Sequence, residues 1–366
     1  MISENVKYVI APYMKAAYYN NNLELGFGSI KKIITEKRLQ NPIIELCTAL
    51  ESAKSFDEMK NLIESKYPLE NMETETIISL FKIQNFLIEK DIYDRSERYS
   101  RHKLFYNLSG GQANEVQERL SKKHVTIIGC GGIGNLISVN LATAGIGKLT
   151  LIDDDAIEIS NLTRQILFSE SDVGASKSKI LERELRKRAS NVAIESINSI
   201  IDTPEKAEVL LNGDLVVISG DSPGIAKLIN QVCYKKSIPF VNVGYIQDVA
   251  VWGPFFIPGK MPCYECFSKN NIATIDAFDM DLKKKLQLIN MKYQSPSIGP
   301  VNMLAASLAS LDLLKMLGEF GQIQADKKRI GVWTHNLKIE EQVFENDAYC
   351  TLCNPKKEFT QQRNLI

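Results

Sequence analysis

Net charge is missing from this chain of 366 residues, in which 44 Lys and Arg stand against 44 Asp and Glu. That balance marks no nucleic-acid or membrane surface, so neither partner is expected. An uninterrupted apolar run of membrane-spanning length is also missing, because Asp312 and Lys315 break the longest C-terminal candidate. The opening residues, Met1-Ile2-Ser3-Glu4-Asn5, lack the basic-then-apolar order of a secretory signal. No internal repeat or low-complexity tract is visible. A soluble, cytoplasmic protein is the expectation. What is present suffices for two domains, with 44 % apolar residues to build their cores.

The most informative stretch runs from Val125 to Lys177. An apolar run, Val125-Thr126-Ile127-Ile128, leads into Gly129-Cys130-Gly131-Gly132-Ile133-Gly134. A helical pattern follows over Asn135 to Ala144, then a second apolar run, Leu149 to Ile152, ending in Asp153, Asp154 and Asp155. This order predicts a βαβ nucleotide-binding unit. Gly129, Gly131, Gly132 and Gly134 let the backbone turn tightly beside phosphates, and the helix N-terminus offers free N–H groups and a positive dipole end. Asp153 lies 19 residues past Gly134, the offset expected for an acid that accepts ribose hydroxyls. Without its flanks, the glycine motif would also suit a tight turn in an ordinary α/β domain.

Such a unit suggests a dehydrogenase, but Arg164 and Lys177 argue for different chemistry. Hydride transfer leaves the cofactor pyrophosphate intact. Cleavage between α- and β-phosphates builds charge that two cations would stabilise. Both side chains could otherwise be solvated surface cations.

Four of the seven cysteines form two C-x-x-C pairs, Cys263/Cys266 and Cys350/Cys353. In a reducing compartment this spacing suits a closed, structural Zn²⁺ site that staples the C-terminal tail to the main domain. A redox role for either pair is the alternative.

Residues 1–94 read differently from the rest. Lys7 to Ala17 and Leu23 to Ile34 have strand character around a turn at Asn20-Asn21-Asn22. Helical patterns cover about Pro42–Ala53, Phe56–Ser65 and Glu73–Glu89, with Ser55 and Asn71 as candidate caps of the later two. A small sheet with three helices predicts a winged-helix-like α+β domain, a type that often adds an extended peptide to a sheet edge. A dimerisation or purely structural appendage is the other reading. Beyond Lys177, helix and strand alternate: Ser178–Ala189, Val192–Ile197, Leu215–Ile218, Ala226–Tyr234 and Phe240–Val243. A parallel, doubly wound α/β sheet is expected for residues 95–366. Val301–Leu317 reads as an apolar core helix and Arg329–Thr334 as a last strand.

The run GCGGIG, LIDDDAIEISNLTRQILF and DVGASK resembles the adenylating domain shared by the ubiquitin-activating-enzyme superfamily and its bacterial relatives that activate sulfur carriers. The resemblance covers about residues 95–353 and is similar in layout to the branch that matures microcin C-type peptide antibiotics. It implies a Rossmann-like nucleotide domain that binds ATP through the glycines, Asp153, Asp155, Asn161, Arg164, Gln165 and Lys177. It implies Mg²⁺ on Asp221, which the sequence places just past a strand end. Relatives usually follow that Asp with Asn, and here Ser222 stands there. Arg98-Tyr99-Ser100-Arg101 matches a motif whose last arginine reaches the partner subunit's ATP site, so a homodimer with Arg101 acting in trans is implied. Catalytic roles fall to Arg101, Arg164, Lys177 and Asp221.

Many relatives pass the activated acyl group to a cysteine in the loop after the first C-x-x-C. Here Phe267 to Asn302 contains no cysteine. The microcin C-type branch needs none. Its members adenylate the C-terminal carboxylate of a short peptide ending in asparagine, cyclise it to a succinimide, and form an N–P bond to a second nucleotide. ATP is the default nucleotide and CTP the alternative. Three rivals stay open: adenylation of a Gly-Gly-ended carrier protein, a non-catalytic nucleotide-binding subunit, and NAD-dependent oxidoreduction.

Overall fold

Two units partition the chain in the computed structural model: Met1–Arg119 with Gly318–Gly321, and Leu120–Leu317 with Gln322–Ile366. The described residues are 6–90, 94–220, 222, 224–260, 262–266, 284–285, 288–289, 291, 295–348 and 350–353.

The first unit begins with β1 (Tyr8–Ile10), then β2 (Ala16–Tyr19), β3 (Asn22–Leu25) and β4 (Lys32–Ile34). The last three form an antiparallel sheet in the order β2-β3-β4. Asn20 and Asn21, at φ 47° and 61°, supply the two-residue turn between β2 and β3. Asparagine tolerates this left-handed backbone, which matches the strand twist. Helices α1 (Lys37–Ala49), α2 (Phe56–Lys66) and α3 (Asn71–Ile83) follow. Their inward residues, among them Ile43, Leu46, Met59, Ile63, Ile77 and Phe81, bury one apolar core.

Four sequence expectations need adjustment here. The first helix starts at Lys37 and takes in Pro42, rather than starting there. Ser55 caps α2 in a reciprocal box with Glu58, as its position suggests, but Asn71 is the first residue of α3 and Glu70 stands at its cap. The third helix stops at Ile83, short of Glu89. Asn85 takes φ 54°, Phe86 N–H donates to Phe81 O, and Asn85 N–H donates to Lys82 O. That double closure ends a helix, and the Phe86 ring seals it edge-on against Phe81. Leu87–Glu89 then forms β5, antiparallel to β1. This pairing is non-local, so helical periodicity could not reveal it. Finally, the unit extends past residue 94. Within α4 (Ser100–Leu108), Asn107 Nδ2 donates to Tyr13 Oη and to Leu87 O, tying the helix to the preceding strands. Helix α5 (Ala113–Lys122) follows, most of it in the same unit.

The second unit alternates β6 (His124–Ile128), α6 (Gly132–Thr143), β7 (Lys148–Ile152), α7 (Lys177–Arg188), β8 (Ala193–Ile197), α8 (Pro204–Leu210), β9 (Leu215–Ile218), α9 (Ile225–Lys236) and β10 (Phe240–Ile246). It continues with β11 (Val249–Phe256), α10 (Gly299–Gly318), β12 (Lys328–Trp333) and β13 (Ile339–Val343). The eight-stranded sheet runs β13-β12-β11-β10-β9-β6-β7-β8. Strands β8, β7, β6, β9 and β10 are parallel and β11 to β13 are antiparallel, so the sheet is mixed and mainly parallel, with helices flanking it. Sequence periodicity assigns neither β11 nor β13.

Alternation decides which strand residues meet which helices. Ile128, Val216, Ile218 and Phe240 face a core shared with Ala207 of α8, Leu211 at its C-cap, and Ile229 and Cys233 of α9. From β6 the chain moves to β7 on one side and later returns through β9 on the other. Ligands in such sheets collect at that reversal, beyond the strand C-termini. Helix α10 is the one described helix long and apolar enough to cross a membrane, and 56 % of its most apolar window is buried in the protein. Its Asp312 is itself buried: Oδ1 accepts from Gln324 N–H, and Oδ2 accepts from Ala325 N–H and Trp252 Nε1.

Candidate nucleotide site and cysteine cluster

At the end of β6 the chain turns through Gly129 at φ 90°, a backbone that side chains rarely adopt. A Cβ there would also lie 2.7 Å from the Gly220 nitrogen beyond β9. Gly134 is fixed by packing, since its Cβ would fall 1.8 Å from Gly129 O. These two contacts bring α6 and the β9 end close enough to leave a shallow backbone cradle at the sheet reversal. Gly131 stands at the N-cap of α6, with no side-chain cap. The first-turn N–H groups and the positive helix end therefore remain available to an anion.

The tip of β7 closes one side of this turn. Asp153 Oδ2 accepts from Cys130 N–H at 2.5 Å, and Oδ1 accepts from Asp155 N–H at 2.9 Å. Burial raises the Asp153 carboxyl above its ordinary pKa, against the lowering pull of these amides and of Lys177. Lys177 is the first residue of α7 and only 7 % exposed. Its Nζ reaches Asp155 Oδ2 at 2.6 Å, and its N–H donates to Asp155 O. Ser178 Oγ donates to Asp153 O, so the start of α7 is strapped to the acid tip. A buried ammonium is thus already held beside the turn. Asp153, Asp154 and Asp155 bring carboxylate oxygens within 4.8 Å of one another.

Residues 161–168 cover another side. Leu167 N–H donates to Asn135 Oδ1 of α6, which anchors the segment. Arg164 lies with its Cγ 3.3 Å from where a Cβ on Gly132 would be, and its Nη1 donates to Ser160 O. Gln165 is buried, its Nε2 lies 3.6 Å from the Cβ position of Gly131, and its Oε1 has no hydrogen-bond partner among the described residues. Asn161 turns inward, where its Oδ1 accepts from Glu158 N–H and closes its own turn. The sequence-derived candidates from Gly129 to Gly134, Asp153, Asp155, Arg164, Gln165 and Lys177 therefore converge. Asp221 lies outside the described residues. Arg101 is exposed on α4 of the first unit, with no ion pair among the described residues.

One residue at the turn went unflagged by sequence reasoning. Asn302, which falls above only within the apolar core helix Val301–Leu317, is 1 % exposed and sits over Gly132. An apolar helix carrying one amide gives little local signal of such a placement.

Away from the turn, the Sγ atoms of Cys263, Cys266, Cys350 and Cys353 all lie within 4.8 Å of one another. Neighbouring sulfurs are 3.8 Å apart for Cys263/Cys266, 3.5 Å for Cys263/Cys350 and 3.2 Å for Cys266/Cys353. A tetrahedral metal with bonds of about 2.3 Å sets its sulfurs about 3.8 Å apart, so the four fit one ion. Burial pushes the Cys263 thiol up to about 11. Burial also acts against ionising Cys350, but the amides of Cys353 and Leu352 hold its pKa below the ordinary value. The remaining cysteines are unlike nucleophiles. Burial pushes Cys47 and Cys233 up to about 12 and raises Cys130 well above the ordinary range.

Residues 99–351 match the model of the ThiF family. The chain belongs to the ThiF family. Among curated relatives, the molybdopterin-synthase adenylyltransferase of Escherichia coli K12 is 30 % identical over 237 residues, 65 % of this chain and 89 % of that protein. The sulfur carrier protein ThiS adenylyltransferase of the same organism is 27 % identical over 223 residues, 60 % of this chain and 80 % of that protein. A crystal structure of E. coli MccB with succinimide matches with TM-score 0.86 and 33 % identity, covering 95 % of this chain and 99 % of that one. MccB with ATP matches with TM-score 0.85, 33 % identity and the same coverage. The microcin C7 biosynthetic enzyme MccB in complex with N-formylated MccA gives TM-score 0.86 and 33 % identity, again covering 95 % and 99 %. The protein is an ATP-dependent adenylyltransferase.

Proposed function

We propose that this adenylyltransferase activates the C-terminal carboxylate of a short peptide ending in asparagine and carries it on to a peptidyl nucleotide. The observation that carries this reading is the extent of likeness. Similarity to the molybdopterin-synthase enzyme covers 65 % of the chain, whereas the MccB structures cover 95 % of it. The first unit also offers a place for a peptide. Ile33, Ile34, Leu39, Met72, Leu80 and Ile83 line a groove of about 670 Å³. Strand β4 borders it and is one of the two outer strands of its sheet. An extended chain could pair with that edge and place side chains in the groove.

In this reading the peptide carboxylate oxygen attacks the α-phosphorus of ATP and pyrophosphate leaves. Lys177 and Arg164 neutralise the charge that builds on the phosphates, the α6 N-terminus and the glycine turn cradle them, and Asp153 accepts ribose hydroxyls. The asparagine side-chain nitrogen then attacks the activated carbonyl, losing a proton and releasing AMP as the succinimide closes. The succinimide nitrogen attacks the α-phosphorus of a second nucleotide and releases pyrophosphate. Water opens the ring and leaves an aspartyl amide joined to the nucleotide through nitrogen. High thiol pKa values at Cys47, Cys130 and Cys233 suit a route without a thioester.

Mg²⁺ on Asp221 would neutralise phosphate charge, and Zn²⁺ on Cys263, Cys266, Cys350 and Cys353 would staple the chain. Metal analysis should find one zinc per chain, and a zinc-free protein of unchanged stability would sink that assignment. A homodimer in which Arg101 serves the partner's ATP site completes the proposal. Pyrophosphate exchange tests it: a short Asn-ended peptide should drive exchange in the wild type. Exchange driven instead by a Gly-Gly-ended carrier protein would replace the peptide reading with carrier activation.

A further inference from the structure

Asn302 lies one turn into α10 and is 1 % exposed. Its Nδ2 donates to Ser297 Oγ at 3.2 Å. Its Oδ1 is buried with no hydrogen-bond partner among the described residues. The carboxamide rests directly on the first residue of α6: a Cβ on Gly132 would lie 2.5 Å from Asn302 Nδ2 and 3.2 Å from its Cγ. Gly299 holds the other end of this approach, its Cβ position 3.3 Å from Thr163 O and 3.8 Å from Arg164 Cα. Asn302 is therefore wedged between the glycine turn and the Arg164 segment.

A buried acceptor without a donor is costly to leave unpaired and needs an explanation. Phosphate and carboxylate oxygens carry no N–H to offer it. The ribose end of the nucleotide belongs with Asp153, which meets the turn at Cys130, whereas Asn302 meets it two residues further on at Gly132. In the adenylation reading the α-phosphate meets the incoming acyl group at that end of the turn, which points to a donor on the residue being activated.

We propose that Asn302 Oδ1 accepts an N–H from the side-chain carboxamide of the substrate's terminal asparagine. Asn302 is a specificity-determining and positioning residue. It selects a neutral amide over a terminal carboxylate or methyl group, and it holds the amide beside the carbonyl that it must attack. Ser297 fixes the orientation by holding the opposite end of the Asn302 carboxamide. The assignment rests on the peptide-adenylation reading above.

The test compares peptide-dependent pyrophosphate exchange for wild type, Asn302→Leu and Ser297→Ala on two peptides that differ only in a terminal Asn or Ala. Wild type should prefer the Asn-ended peptide. Asn302→Leu should collapse that preference in kcat/KM by about 10- to 100-fold, with KM for ATP within about 2-fold of wild type. Ser297→Ala should lower the same preference by a smaller factor, about 2- to 5-fold, because the acceptor remains but is free to turn. An ATP KM that rises in step with the loss would make Asn302 a nucleotide contact and overturn the assignment. An equal loss on both peptides, or no change, would make it structural and do the same. A wild type that ignores both peptides but exchanges with a Gly-Gly-ended carrier would overturn the peptide reading itself, together with this assignment.

Discussion

Helix α10 carries two buried amide or carboxylate side chains ten residues apart, Asn302 and Asp312, and the protein treats them in opposite ways. Each is 1 % exposed. Asp312 is fully answered by the chain, with Gln324 N–H on one oxygen and Ala325 N–H and Trp252 Nε1 on the other. Asn302 is answered at one end, by Ser297, and left open at the other. Gln165 Oε1 and Asn135 Nδ2, around the same glycine turn, are open as well. Buried polar groups that serve structure find their partners within the chain, because an orphan costs as much as a lost hydrogen bond. Three of the seven such orphans among the described residues gather around this one turn, the others being Thr74 Oγ1, His102 Nδ1, Asn230 Nδ2 and Trp333 Nε1, and it is at the turn, beside the glycines, that partners are expected from outside.

That contrast can be broken from either side. The largest effect expected is on stability at the satisfied end. Asp312→Ala strands three donors, the buried Trp252 Nε1 and Ala325 N–H and the half-buried Gln324 N–H, and should destabilise the protein by roughly 3–5 kcal/mol in urea melts. A loss below about 1 kcal/mol would remove Asp312 as the structural pole. At the open end the effect should move to catalysis. Lys177→Ala should cut pyrophosphate exchange about 10²- to 10³-fold, as should Asp221→Ala through loss of the Mg²⁺ proposed for it, with the fold intact. Full activity in either variant contradicts the role given to that residue. Asn302→Leu sharpens the comparison, because replacing a half-paired amide should shift stability by less than about 1 kcal/mol, far less than at Asp312. A loss equal to that of Asp312→Ala would erase the distinction. The smallest effect lies in the first unit. Ser55→Ala removes the capping box with Glu58 and should cost about 1 kcal/mol, leaving KM for ATP unchanged.

What was legible in the sequence follows from the range of each interaction. The turn at Gly129 to Gly134 and the acid tip at Asp153 sit in one contiguous βαβ unit, so spacing alone placed them. The cysteine pairs were legible because two short motifs with one spacing have few partners other than each other. The strand at Leu87–Glu89 was hidden, since it depends on pairing with Tyr8–Ile10 across some eighty residues. Helical periodicity ran on through Asn85, whose left-handed backbone ends α3. The place of Asn302 was hidden for the same reason. Its neighbours Gly132 and Arg164 lie far away in sequence, and only the crossing of α10 over the turn brings them together. The fold class was readable from local order, whereas the full set of groups around the turn needed tertiary contacts.

The most direct measurement is mass spectrometry of a short Asn-ended peptide incubated with the enzyme, Mg²⁺ and each nucleoside triphosphate in turn. The account predicts a stable adduct in which one nucleoside monophosphate is joined to the peptide, formed with ATP and lost in Lys177→Ala. A peptide recovered unmodified with every nucleotide, alongside pyrophosphate exchange driven by a Gly-Gly-ended carrier, would contradict it.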